Sequence, residues 1–292
     1  MTWKRVLTGV VLIPAVTALV LWGSTALVAA GFALFILLAL LEYFALGTAK
    51  GQPGYPMWTA ACAIVLVFSQ WLAATGRGIQ LAGGETLRGA WPRVMPVGLF
   101  SVTGAFLLFA AGLIVLSVVA KKSTEEALPA AGISASAFLL VAFPLSFGIR
   151  LHGAGPFGPR LLLFAMVIIW AGDTAAYFVG RSIGRLKLAP SLSPKKTWEG
   201  TIASFVASLV VGYAARYWIP VSPFHLLMMA SLGNIAGQIG DLAESAYKRS
   251  AGVKDSGSLL PGHGGILDRI DALILALPVV WYYWSWISGL VE

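Results

Sequence analysis

Apolar stretches of about twenty residues, each long enough to carry a helix across a bilayer, recur along the whole chain. Windows near residues 6–24, 25–47, 57–75, 94–120, 133–150, 161–180, 198–219, 224–247 and 271–290 predict about nine such helices. Only 11% of the residues are charged and 58% are hydrophobic, against about 25% charged in soluble domains. The expected fold class is therefore all-α, a polytopic membrane helix bundle. The run from Val6 to Trp22 exceeds the apolar core of a secretory signal and lacks a small-residue cleavage site, so it is expected to be a retained span. Gly23, Ser24 and Thr25 separate it from the second window, which leaves a hairpin or one broken helix. The single cysteine, Cys62, lies in an apolar stretch and excludes disulfides and cysteine-based metal sites.

Charge sets an expected topology. With Lys4 and Arg5 inside, alternation puts Lys50, Lys121, Lys122, Arg181, Arg185, Lys187, Lys195, Lys196, Lys248, Arg249, Lys254 and Arg269 on the same side. Arg77, Arg88, Arg93, Arg150, Arg160 and Arg216 fall opposite, a split in keeping with the positive-inside rule. Much of the net charge of +8 falls in two loops, roughly 181–197 and 248–269. Attraction to anionic headgroups accounts for the cations there. It does not account for the Asp, Glu, His and Gly among them, and no nucleic-acid partner is expected.

The chain divides in character near residue 150. Residues 1–150 read as scaffold helices joined by polar loops such as GQPGYP, and residues 151–292 as the catalytic region. Glu42, in LLEYFAL, is the one intramembrane carboxylate of the first half, and a helix-end or packing role is expected for it ahead of a site role. KKSTEEALP, residues 121–129, reads as a solvated turn. In the second half, Gly233, Gly237 and Gly240 allow close helix approach and lead into Asp241.

In GDLAESAYKR, Asp241, Glu244, Ser245 and Lys248 share one helical face. Such a stripe must face a cavity or another polar group, since lipid leaves it unsatisfied. Asp268 and Asp271 repeat the pattern at the start of the next span, so two acidic faces are expected to meet at one end of the bundle. Helix-end salt bridges with Lys248 and Arg269 are the plainer alternative. Oxygen ligands without cysteine suit Mg2+, which takes one or two carboxylates plus substrate phosphates. Asp241 and Asp268 are the expected ligands, and a second cation is left open. His263, flanked by Gly262, Gly264 and Gly265, is expected to donate to a phosphate that the glycines let backbone amides approach. A purely structural turn is the alternative there.

A second constellation runs from Asp173 to Gly200, DTAAYFVGRSIGRLKLAPSLSPKKTWEG. Asp173, inside an apolar span, is a functional candidate or a partner for a cation. Ser193 and Pro194 read as an N-cap and a first helical residue, which would put Lys195 and Lys196 on the first turn of a helix, an anion site. Magnesium, phosphate donors and headgroup access together point to phosphoryl or nucleotidyl transfer to a lipid.

The segment SAYKRSAGVKDSGSLLPGHGGILDRID, residues 245–271, resembles the signature of the phosphatidate cytidylyltransferase (CDP-diacylglycerol synthase) family, as do DTAAYFVGRSIG, KLAPSLSPKKTWEG and GDLAES. The resemblance covers about residues 165–280. It implies CTP and phosphatidate as substrates, CDP-diacylglycerol and pyrophosphate as products, and required magnesium. Position by position, it implies that Asp241 and Asp268 ligate the metal and that Lys195, Lys196, Lys248, Arg249, Lys254, His263 and Arg269 surround phosphates. Asp255 and Asp271 belong to the signature without a separate role. Many members carry a Gly pair where this chain has Ala203 and Ser204. Similar proteins imply a homodimer in a bacterial inner membrane, its site facing the cytoplasm. A CTP-dependent lipid kinase, a transporter using Asp173 and Glu42, and a lipid-binding scaffold are the competing classes.

Overall fold

The computed structural model describes residues 13–75, 100–120, 123–257, 259 and 264–289. Its elements are α1 (Ile13–Trp22), α2 (Thr25–Ala49), α3 (Pro56–Thr75), α4 (Val102–Val119), α5 (Thr124–Ala137), α6 (Phe143–His152), α7 (Gly158–Ser182), the strands β1 (Lys187–Ala189) and β2 (Ser193–Thr197), α8 (Trp198–Ala214), α9 (Pro223–Ser250) and α10 (Leu267–Ile287). The all-α bundle is as expected, with one small hairpin added.

Seven helical segments among the described residues are long and apolar enough to cross a membrane, against nine expected. The difference has two sources. Only Ile13–Trp22 of the first window is described, a short apolar helix. The eighth window, α9, is 28 residues long but carries Asn234, Gln238, Asp241, Glu244, Lys248 and Arg249, and it falls outside the apolar set. Gly23 and Ser24 do make a break, with Ser24 Oγ accepting from Leu27 N at 3.2 Å to start α2.

Residues 124–129 are helical rather than a turn, because α5 begins at Thr124 and continues through a π-helical stretch, Phe138–Ala142, into α6. Pro144 has no N–H to give, and the wider π turn sits immediately before it, where the backbone ladder is interrupted. One apolar cluster runs from Val20 on α1 through Phe138, Phe164 and Leu226 to Val280 on α10, so both halves of the chain share a core. Leu107, Ile114 and Val118 on α4 face outward, as a lipid-exposed surface requires. The strongest pairings in the second half are α7 with α8 and α9 with α10. They bring the C-terminal ends of α7 and α9 and the N-terminal ends of α8 and α10 to one end of the bundle.

Candidate active site

The hairpin is where the structure departs most from the local pattern. Ser193 lies in β2 opposite Ala189, and Lys187 pairs with Thr197. Ser193 is thus not an N-cap, and the expected helix N-terminus bearing Lys195 and Lys196 does not form. Thr197 takes the capping role instead, its hydroxyl accepting from Gly200 N at 3.2 Å. Glu199 ties the hairpin to the helix by accepting from the amides of Arg185 and Leu186 at 2.9 and 3.2 Å. Strand geometry aims successive side chains to opposite faces, and Lys196 reaches Asp241 on α9 at 2.6 Å.

Beside this ion pair lies a cavity of about 740 Å³, lined by Arg181, Lys187, Lys195, Lys196, Asp173 and Asp241, with Thr201, Ser204 and Gln238 on its α8–α9 side. A second cavity of about 380 Å³ is mostly apolar. Leu19, Val28, Phe32, Leu145 and Trp170 line it, and at its polar end stand Asp173, Asp268, Arg269 and Asp271. Asp173 borders both. A cationic cavity and an apolar one therefore meet at a carboxylate wall.

Asp268, the first acidic residue of α10, is bound on every side. Its Oδ1 accepts from Lys248 Nζ at 2.5 Å, and its Oδ2 accepts from Gly265 N at 2.8 Å and Ser256 N at 3.1 Å. Lys248 also pairs with Glu244 one turn back. The acidic faces of α9 and α10 do meet, through a buried lysine between two carboxylates. Of the two helix-end salt bridges that are the plainer alternative, the one from Lys248 is formed, on the same residues.

Asp173, Asp241 and Asp271 lie within electrostatic range of one another, with Lys196 and Arg269 the nearby cations around Asp173. Among the described residues, no three acidic, histidine or cysteine side chains converge as a ready-made metal cage. Mg2+ does not need one, since substrate phosphates and waters fill most of its shell. Asp173 and Asp241 on the wall of the cationic cavity, with Asp268 at the polar end of the other, supply the all-oxygen donors that suit such an ion.

Gly264 has φ +81°, and a Cβ there would stand 2.8 Å from Asp268 Oδ2, so glycine is required both for the turn and for the carboxylate's approach. Gly265 lends its amide to the same oxygen. Ser245 is buried on α9. Lys254 and Asp255 are exposed in the loop after α9. Arg249 is not brought to either cavity. It donates to the carbonyls of Leu192 and Val253 at 3.1 and 3.0 Å, tying the hairpin to the end of α9. His263 and Gly262 lie outside the described residues.

The sequence matches the cytidylyltransferase family over residues 3–287, nearly its whole length. The chain belongs to that family. Among similar proteins is the phosphatidate cytidylyltransferase of Brucella suis biovar 1 (strain 1330), 37% identical over 239 residues that cover 80% of this chain and 85% of that protein. The phosphatidate cytidylyltransferase of Bacillus subtilis (strain 168) is 41% identical over 136 residues, 46% of this chain and 51% of that one. That of Staphylococcus haemolyticus (strain JCSC1435) is 44% identical over 125 residues, 42% and 48% of the two chains.

Three further residues line the cationic cavity, each with a signal in the sequence. Gln238 is three positions before Asp241 and so shares its helical face. Ser204, one of the two residues standing in for the Gly pair, is buried and accepts from Asn234 Nδ2 at 2.9 Å. Thr197 follows the two lysines and was as good a capping residue as Ser193.

Proposed function

We infer that the protein transfers CMP from CTP to phosphatidate, giving CDP-diacylglycerol and pyrophosphate in phospholipid biosynthesis. The observation that carries this is the junction of the two cavities at Asp173. A water-soluble, highly anionic nucleotide suits the cationic cavity, and a lipid suits the apolar one.

The phosphate of phosphatidate is already anionic, so one of its oxygens can attack the α-phosphorus of CTP without a general base. The new P–O bond joins the two phosphates, and the bond from the α-phosphorus to the bridging oxygen breaks to release pyrophosphate. Catalysis then rests on alignment and charge neutralisation. Lys195, Lys196, Lys187 and Arg181 would hold the triphosphate, and Arg269, at the polar end of the apolar cavity, the lipid phosphate. Asp241 and Asp268 are the proposed holders of Mg2+, which when bound would neutralise nucleotide phosphate charge and stabilise departing pyrophosphate. Lys248 would keep Asp268 in place. His263 is proposed to donate to phosphate from the glycine-rich segment 262–265.

The proposal extends to a homodimer in a bacterial inner membrane with the site facing the cytoplasm, an orientation supported by the distribution of Lys and Arg. Purified protein incubated with α-labelled CTP, phosphatidate and magnesium tests the reaction. Label in lipid with release of pyrophosphate is expected. Labelled CDP in water beside a newly phosphorylated alcohol would instead mark γ-phosphoryl transfer.

A further inference from the structure

Glu42 is 4% exposed on α2, far in sequence from every residue assigned to the site. Its two carboxylate oxygens accept three hydrogen bonds, from Ser256, Ile266 and Leu267. Ser256 Oγ donates to Oε2 at 2.9 Å, Ile266 N to Oε1 at 2.9 Å, and Leu267 N to Oε2 at 2.8 Å. The two amides open α10, where backbone N–H groups have no intrahelical acceptor. Ile266, the residue preceding the helix, has no side chain that can cap it. Glu42 therefore caps α10 from another helix, and its negative charge suits the positive end of the helix dipole.

The fit is built from both sides. A Cβ on Gly257 or Gly265 would run into the Glu42 carboxylate, so glycine at both positions admits it. Ser256 and Gly265 also bind Asp268, with the donors divided between the two carboxylates. Ser256 gives its hydroxyl to Glu42 and its amide to Asp268; Gly265 gives its amide to Asp268 and Ile266 its amide to Glu42. Ser256 and residues 265–267 are thus clamped between a carboxylate from the first half of the chain and one from the site. A glutamine at this position would offer one acceptor oxygen and turn an NH2 group toward N–H donors.

We propose that Glu42 is a positioning residue for nucleotidyl transfer. By holding Ser256, Ile266 and Leu267 from behind, it fixes where Asp268, and through it Lys248, stand at the carboxylate wall. This rests on the reading that Asp268 belongs to the reaction centre.

The test compares the native protein with Glu42→Gln, Glu42→Asp, Ser256→Ala and Asp268→Asn, each full length and in detergent. Steady-state kcat and KM for CTP and phosphatidate are measured with the thermal unfolding midpoint. Loss of hydrogen bonds to a buried charge predicts a kcat lower by about 10- to 100-fold in Glu42→Gln, with both KM values little changed. The midpoint should fall by about 2–8 °C, the cost of the altered cap, with the protein still folded at the assay temperature. Glu42→Asp, which keeps the charge, should recover part of kcat. Near-native kcat in Glu42→Gln overturns the proposal, as does a kcat loss that unfolding at the assay temperature accounts for in both Glu42 variants. If Glu42→Gln does not fold, Ser256→Ala decides: lowered kcat at a native midpoint supports the role, and native kcat overturns it. An inactive Asp268→Asn leaves the Glu42 variants to judge the inference alone. An active one removes the site reading and the inference with it.

Discussion

Lys196 on β2 meets Asp241 on α9 at 2.6 Å, joining the hairpin to the helix across the wall of the cationic cavity. Both side chains are more than a quarter exposed, and pairs of that kind contribute about 0–1 kcal/mol to stability. Lys196→Gln should therefore unfold close to the native temperature. Its effect belongs to catalysis, because the lysine faces the space proposed for the triphosphate. Loss of one charge-assisted phosphate contact, about 1.5–3 kcal/mol, predicts a kcat/KM for CTP lower by about 10- to 100-fold. Native kinetics in a folded Lys196→Gln protein would remove the lysine from the nucleotide site.

Lys248 stands between two buried carboxylates, Glu244 and Asp268, and bonds to both. Neutralising Asp268 leaves a balanced Lys248–Glu244 pair, whereas neutralising Lys248 leaves two carboxylates facing each other. Asp268→Asn puts an NH2 group toward donors that the carboxylate now accepts from, so it is expected to fold with stability lowered by about 1–3 kcal/mol and to lose turnover. Lys248→Met is expected to be the unstable variant, by about 3–5 kcal/mol, the usual result of stripping a buried charge of its partner. Thermal unfolding beside the labelled-CTP assay checks both. The reverse order of stabilities would mean that the hydrogen bonds to Asp268 hold the fold more than the Lys248 charge does.

The meeting of α9 and α10 was legible because it depends on spacing within each helix. Residues three and four apart share a face, and a polar face in an apolar chain has to find another polar face. The hairpin was not legible. SPKKT fits a helix start as well as a strand, and the choice is made by contacts with Leu186 and Glu199 that no local pattern reveals. Glu42 is expected in a helix-end or packing role in its own span, whereas it lies within α2 and caps α10, whose donors stand more than two hundred positions away. The site was readable wherever one helix encodes it and hidden wherever two distant segments do.

Gly200 on α8 lies against Ala176 and Gly180 on α7, and a Cβ at Gly200 would come within 2.9 Å of the Ala176 carbonyl oxygen. Backbone cannot swing aside as a flexible side chain can. Gly200→Ala should push the two helices apart at the cavity wall, at a cost of about 1–3 kcal/mol typical of overpacking. A lowered midpoint together with a raised KM for CTP is expected. Native values for both would show that α7 and α8 separate there without consequence.

Asn234 is buried between α8 and α9, donating to Ser204 Oγ at 2.9 Å and Ser208 Oγ at 2.8 Å, while its Oδ1 accepts from Gln238 Nε2 at 2.6 Å. Gln238 and Ser204 line the cationic cavity, so this network orients the one uncharged amide facing the proposed nucleotide. Interhelical hydrogen bonds in a bilayer each contribute about 0.6 kcal/mol, up to about 1.7. Asn234→Leu should accordingly lower the unfolding midpoint only modestly. It should also free Gln238, and the KM for CTP should rise while the KM for phosphatidate stays near native, because the apolar cavity lies on the far side of Asp173. Equal changes in both constants would indicate that the network supports the helix pair as a whole rather than the nucleotide cavity.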